Sequence, residues 1–342
     1  MIEFTTGNIL KDDSEAIVNT VNCVGVMGKG LALQFKKAYP HNFVQYKKAC
    51  DKGEVRLGKI FVTQENSLLD HKWIINFPTK NHWKAKSTLE SIEAGLSDLV
   101  TFILENNISS IAIPPLGSGL GGLDWQNVKE RIIAYLNNLE SVAVKVYEPS
   151  ISPVSTEMPI RTKKPTMTKG RALLIKLLEF YSSKGYECTK LEVQKMAYFL
   201  QESGIPLRLN YKAHHFGPYA NNLNHVLEAI DGHYISGYGD RVSKSEIKLK
   251  DNAIKEADSF LLNDKEALSY LCKVEQLIEG YETPLSMEVL STVHWVIKHE
   301  NKSKQDFNLI RDFIYSWNEH KAQMKEQYLK KAFMRLETQG WV

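Results

Sequence analysis

Cysteine is scarce in this chain: four in 342 residues, Cys23, Cys50, Cys188 and Cys272, with no C-x-x-C pair. That scatter excludes a disulfide framework and a thiolate zinc site and points to free thiols in a reducing compartment. A surplus of one charge is missing too. Forty-three Lys and Arg against forty acids leave a net charge of +3, so any nucleic-acid contact has to come from a local patch. No apolar run approaches bilayer-spanning length, and Met1-Ile2-Glu3-Phe4 reads as a strand instead of a basic, apolar signal segment. A cytoplasmic location with no membrane partner is expected. His214, His215, His225 and His233 lack a fixed ligand spacing, and no acid cluster accompanies the glycine loops described below. Neither a metal nor a cofactor is expected.

Hydrophobic residues make up 43% of the chain, enough for ordinary cores at a length that suggests two domains. Over 1–150, strand-like runs at Ile2–Thr6, Ala16–Val21, Lys59–Thr63, Lys72–Asn76, Ser110–Ile113 and Val142–Tyr147 alternate with amphipathic stretches at Leu31–Tyr39, Leu89–Asn106 and Trp125–Leu136. Alternation of this kind predicts an α/β sheet between helices. Pro149, Pro153, Pro159 and Pro165 with Lys163-Lys164 then break the hydrophobic period, which predicts a linker over 151–170. From 171 to 342 the period is helical. Leu173, Leu174, Leu177, Leu178 and Tyr181 make one stripe, and Thr189-x-x-Glu192 reads as a capping box.

Two glycine-rich loops follow short β-branched runs and precede helical patterns: Asn22-Cys23-Val24-Gly25-Val26-Met27-Gly28-Lys29-Gly30 and Pro115-Leu116-Gly117-Ser118-Gly119-Leu120-Gly121-Gly122. Such loops bring backbone N–H groups and helix N-termini near a diphosphate. Gly28-Lys29-Gly30 is not a Walker A loop, because its glycines are too close and no Ser or Thr follows Lys29; that lysine reads as solvated. Gly117-x-Gly119-x-x-Gly122 satisfies a dinucleotide fingerprint, yet too little of the domain follows to supply a second nucleotide-binding half. For any single glycine a surface turn is the simpler reading. Four in one strand-to-helix junction favour a ligand.

These loops, with Leu31–Pro40, Asn76-Phe77-Pro78-Thr79-Lys80 and Pro114–Gly122, resemble the macrodomain family over roughly the first 150 residues, and within it the branch of bacterial antitoxins that remove ADP-ribose from DNA. The resemblance implies a three-layer α/β/α macrodomain with a mixed sheet and an ADP-ribose site. That site would be formed by Asn8, Ile9, Asn19, Asn22, Met27, Gly28, Lys29, Gly30, Gly117, Ser118, Gly119, Leu120 and Gly121. Many macrodomains have Asp where this chain has Asn8, so an adenine contact there would be uncharged. Asn22 would meet the distal ribose, although an Asn finishing a strand also bonds its own turn.

By the same resemblance Lys80 acts on the distal ribose, either trapping the opened sugar as a Schiff base or serving as acid or electrostatic stabiliser. A solvated basic loop is the competing reading for Lys80, Lys84 and Lys86. His82, Trp83 and Lys84 suggest a stacking platform for a single-stranded base, with Trp83 equally suited to cap the core. Leu191-x-x-Gln194-Lys195-x-x-Tyr198-Phe199 and Ala213-His214-His215-Phe216-Gly217-Pro218 are similar to the helical antitoxin family called Panacea. Residues 171–342 would then bind the cognate DNA ADP-ribosyltransferase toxin. Asp251, Glu256, Asp258, Asp264 and Glu266 are candidate phosphate mimics, though a charge run is ordinarily a solvated face. The implied partners are that toxin, ADP-ribosylated single-stranded DNA and ADP-ribose. Two other functions fit the same residues: a non-catalytic ADP-ribose reader, whose affinity survives loss of Lys80, and a hydrolase of ADP-ribosylated protein or O-acyl-ADP-ribose.

Overall fold

The computed structural model describes residues 2–65, 73–150, 158–241, 246–300 and 306–342. It divides into two compact units, Met1–Lys163 with Gly239–Ser243, and Lys164–Tyr238 with Lys244–Val342.

In the first unit, six strands, β1 (Ile2–Thr5), β2 (Ala16–Asn22), β3 (Phe61–Gln64), β4 (Trp73–Lys80), β5 (Ser110–Ile113) and β6 (Ala143–Tyr147), form one sheet in the order β1-β6-β5-β2-β4-β3. All pair in parallel except β3, which runs antiparallel to β4. Alternation along the central strands explains the layers. Ala16, Val18, Ile75 and Phe77 face the core under α3 (Leu89–Glu105) and α4 (Trp125–Leu136), whereas Ile17, Val21 and Ile74 join the clusters under α1 (Gly30–Ala38) and α2 (Pro40–Asp51). Helix α3 buries Ile92, Leu96, Leu99 and Ile103 on one stripe, each such side chain contributing at most about 1.5–3 kcal/mol. Gly95 lies on the same helix because a Cβ there would come 2.3 Å from the Phe77 ring.

The expected α/β/α arrangement is therefore the one observed, with two local differences. Helix α2 falls between the expected stretches Leu31–Tyr39 and Lys59–Thr63, with proline at its first position, where the missing N–H costs nothing. Strand β4 runs through Pro78 to Lys80 instead of turning at Phe77-Pro78. Past Asn76 it has left β3 and is paired with β2 alone, the kind of edge position where a strand accepts proline. Of the expected linker, 151–157 lie outside the described residues, as does Lys72 of the fourth strand-like run. In the rest, Met158 is buried and the Arg161 N–H donates to the Lys37 carbonyl.

The second unit is mostly helical: α5 (Lys169–Ser183), α6 (Lys190–Glu202), α7 (Leu223–Ile230), α8 (Ala253–Leu261), α9 (Lys265–Ile278), α10 (Pro284–His299), α11 (Phe307–Trp317), α12 (Glu319–Ala322) and α13 (Glu326–Thr338), with small hairpins β7–β8 (Tyr211–His214, Gly217–Ala220) and β9–β10 (Ile235–Ser236, Lys248–Leu249). The α5 stripe is buried as a set, and the capping box closes as its sequence requires, the Thr189 N–H donating to Glu192 Oε2 at 2.8 Å. Among the described residues, no helix is long and apolar enough to cross a membrane.

Candidate active site

The loops after β2, β4 and β5 all leave the carboxyl ends of adjacent parallel strands. From β2 the chain continues toward β3 on one side of the sheet, and from β5 toward β6 on the other. A crevice at such a reversal of strand order is where open α/β sheets bind ligands.

A bulge shapes the β2–β4 end. Val21 is opposite Pro78, but Asn22 is opposite Lys80, with Thr79 skipped. The two residues singled out for chemistry thus come to one register by an irregularity of the kind found beside active sites. Lys80 Nζ donates to the Leu120 carbonyl at 2.8 Å, linking the strand end to the second glycine loop. Partial burial lowers its pKa from the ordinary lysine value, since desolvation penalises the ammonium form.

Asn22 is buried and closes its own loop. Its Oδ1 accepts from the N–H groups of Val24 (3.0 Å) and Val26 (3.3 Å), its Nδ2 donates to the Val26 carbonyl at 2.6 Å, and the Tyr46 hydroxyl donates to its main-chain oxygen at 2.6 Å. The turn-forming role is therefore present, leaving one amide hydrogen for anything outside the loop. Beside it, burial pushes the Cys23 and Cys50 thiols up, so neither is an activated thiolate.

The second loop depends on missing side chains. A Cβ on Gly121 would meet the Gly117 carbonyl at 2.3 Å and Ser87 Oγ at 2.4 Å, and Gly117 has φ +69°. Within this loop the N–H groups of Ser118, Gly122 and Leu123 bond to Pro115, Gly119 and Gly117 carbonyls. Those of Gly119, Leu120 and Gly121 take no partner among the described residues. Successive unpartnered N–H donors at a glycine turn are the groups from which anion-binding loops are built. Ser87, which sequence reasoning missed, latches the loop by donating its N–H to the Gly121 carbonyl at 3.0 Å; a lone serine two residues before a helical stretch gives no sequence signal.

Of the three helices that follow these loops, α3 and α4 have side-chain N-caps, Thr88 and Asp124, while α1 has none. Its positive end is therefore left to other acceptors. One of them is unexpected: the Gly30 N–H donates to the Asp240 carbonyl at 2.9 Å, within the same unit.

The remaining candidates separate by exposure. Gly28, Lys29, Gly30, Ser118, Gly119 and Leu120 lie at the surface or half-buried around the crevice. Met27 is buried with Val21 and Tyr46, and Ile9 with Ile17 and Phe35. Asn19 is fully buried, donating to Asn76 Oδ1 at 3.2 Å and to Met27 Sδ, so it joins the asparagine network of Asn42 and Asn76 beneath the loop. Asn8 caps a short 3-10 turn, its Oδ1 accepting from the Leu10 N–H. His82, Trp83 and Lys84 are exposed on the β4–α3 connection, with Lys84 Nζ 4.9 Å from the Trp83 ring centre. Trp83 is half exposed and not a core cap. In the second unit, three of the five candidate acids are already paired: Glu256 with Lys164, Asp258 with Lys176 and Asp264 with Lys169.

Residues 18–132 match the family model described as Macro domain. The chain is 46% identical over 341 residues to the DNA ADP-ribosyl glycohydrolase of Thermus aquaticus, covering 99% of this chain and 94% of that protein. It is 36% identical over 163 residues to a DNA ADP-ribosyl transferase-DNA ADP-ribosyl glycohydrolase fusion protein of Thermosipho africanus, covering 43% of this chain and 42% of the fusion. Among solved structures, the macrodomain of Mycobacterium tuberculosis DarG is 55% identical over 44% of this chain and 99% of that one, with a TM-score of 0.43.

Proposed function

The chain belongs to the DNA ADP-ribosyl glycohydrolase family, and from that membership we propose that it is an antitoxin enzyme that releases ADP-ribose from bases of single-stranded DNA, thymidine being the expected base. The observation that carries the chemistry is Lys80, whose amine is half-buried at the carboxyl end of β4, in register with Asn22 and bonded to the second glycine loop. The diphosphate takes the N–H groups of Gly119, Leu120 and Gly121, and the distal ribose lies between this loop and the one closed by Asn22. Lys80 then acts at the anomeric carbon. Its lowered pKa enlarges the neutral amine fraction, which adds to C1 of the ring-opened ribose and expels the base with uptake of a proton, leaving an imine that water hydrolyses to ADP-ribose and the free lysine; as an ammonium it stabilises charge on the departing base. Borohydride trapping separates these routes, since only a Schiff base is reduced to a stable adduct.

The His82-Trp83-Lys84 connection supplies the contact to the single strand, Trp83 offering a ring face and the lysine a phosphate contact. We further propose that residues 171–342 restrain the cognate ADP-ribosyltransferase by binding it. A relative that carries transferase and glycohydrolase in one polypeptide supports that pairing.

The deciding experiment uses an oligonucleotide with ADP-ribose on thymidine, incubated with the parent and with Lys80→Ala, the products being resolved by mass. Release by the parent and its loss in the folded variant is the expected result. Binding without release by either would replace the enzyme with a reader. Co-purification of the transferase with 171–342, and not with 1–150, tests the second proposal.

A further inference from the structure

Gly239-Asp240-Arg241 belong to the first unit although they stand 202 to 213 positions from the residues they bond. Asp240 is 1% exposed. Its carbonyl accepts from the Gly30 N–H at 2.9 Å, and its Oδ2 accepts from Gln34 Nε2 at 3.1 Å. Lys37 Nζ donates to the Gly239 carbonyl at 3.0 Å, and Arg241 Nη1 donates to the Gly28 carbonyl at 3.2 Å. Gly30, Gln34 and Lys37 are spaced to share one face of α1, so three consecutive residues hold that face and the turn leading into it. Arg241 does so at φ +68°, a left-handed conformation that a non-glycine residue adopts only when its surroundings fix it.

The turn they grip is the crevice's first glycine loop. Gly30 starts α1 at φ +58°, and the preceding Lys29 gives the helix no side-chain cap. A glycine turn of this kind has many conformations of similar energy, and pre-organising it lowers the ordering cost of binding. We infer that Asp240 and Arg241 are positioning residues of the ADP-ribose site, fixing the Gly28–Gly30 turn in its ligand-accepting form. This rests on the ADP-ribose reading given under Proposed function. Neither residue bonds Lys80, so their effect falls on binding and not on the chemical step.

The test uses the full chain, with free ADP-ribose titrated calorimetrically and turnover measured on ADP-ribosylated oligonucleotide. Asp240→Ala removes the acceptor of Gln34, Asp240→Asn restores it, and Arg241→Gly removes the donor to Gly28 while tolerating positive φ. Asp240→Ala and Arg241→Gly are expected to bind ADP-ribose about 3- to 10-fold more weakly, in the range of one lost hydrogen bond. KM should rise in proportion, kcat stay within about twofold, and Asp240→Asn return to parental affinity. Parental affinity in Asp240→Ala and Arg241→Gly overturns the inference and leaves the ADP-ribose reading standing; tighter binding overturns it also, by making the segment a competitor of the ligand. Equal weakening in Asp240→Ala and Asp240→Asn with a lowered melting temperature makes the segment merely structural and overturns it. No ADP-ribose binding by the parent removes the reading itself.

Discussion

Two lysines, one in each unit, have lowered pKa values for the same reason and to different ends. Lys80 is partly shielded at a strand end, with one bond to a loop carbonyl and a route to solvent. Lys195 is sealed beneath the β7–β8 hairpin, its Nζ donating to the Pro218 carbonyl at 2.8 Å. Burial, with the neighbouring Lys321 second, brings Lys195 down to about 7. Lys321 is fully buried too and bonds Glu288 at 2.5 Å and Thr292 at 2.8 Å, with His320 on the same carboxylate. Two amines and one carboxylate are thus buried together beneath Gly217, where even a Cβ on that glycine would come 2.6 Å from Thr292 Oγ1. A depressed lysine marks chemistry only where a ligand can reach it.

The sharpest way to break that comparison is Lys80→Ala. Loss of about 10²- to 10⁴-fold in ADP-ribose release is expected from removing a group that acts on the reacting carbon, with little change in the denaturant midpoint, because only an exposed loop carbonyl loses its partner. If instead stability falls and turnover survives, Lys80 is a structural lysine like Lys195. The counterpart is Lys321→Met, which leaves Glu288, 4% exposed, without its closest cation. A cost of about 3–5 kcal/mol to the second unit is expected, read by urea unfolding, with turnover on ADP-ribosylated DNA unchanged in the folded fraction.

Gly121→Ala probes the first unit's dependence on absent side chains. The added carbon meets backbone at Gly117, so about 1–3 kcal/mol of stability should be lost, and ADP-ribose affinity should fall with it; an unchanged Kd would remove the second loop from the site. The smallest effect is in pH. The folded-state pKa of Lys195 is lowered to about 7, so between pH 7 and the ordinary lysine value the unfolded chain binds the extra proton. Stability of the second unit therefore rises with pH across that window, by up to about 1.4 kcal/mol per pH unit, and falls as pH drops toward 7. Unfolding curves at pH 7 and 9 check this, and Lys195→Met should flatten the difference.

How far the sequence carries is visible in particular residues. Four of the six strand-like runs match the observed strands to within one residue at each end, and Thr189-Glu192 closes as a capping box because both partners lie within one helical turn. The fourth strand-like run ends at Asn76, whereas β4 continues through Pro78 to Lys80 because beyond Asn76 it is paired with β2 alone. Helix α2 begins at Pro40 and follows Leu31–Tyr39 directly, with only Tyr39 between the two helices. The acids on α8 and α9 read as an open anionic face, yet their partners Lys164, Lys169 and Lys176 come from outside those helices.

Local chemistry is what the sequence determined by itself: glycine loops at strand ends, the alternation that puts one face of each strand under each helix layer, and an amine near the end of the fourth strand-like run. These depend on backbone sterics and side-chain period, which act over a few residues. Tertiary structure decided which of those features meet. The bulge that sets Lys80 against Asn22, the Ser87 latch on Gly121 and the seat of Asp240 on α1 each join residues far apart in the chain. Their energies come from burial and hydrogen-bond satisfaction across the folded unit, and no short window of sequence contains both partners.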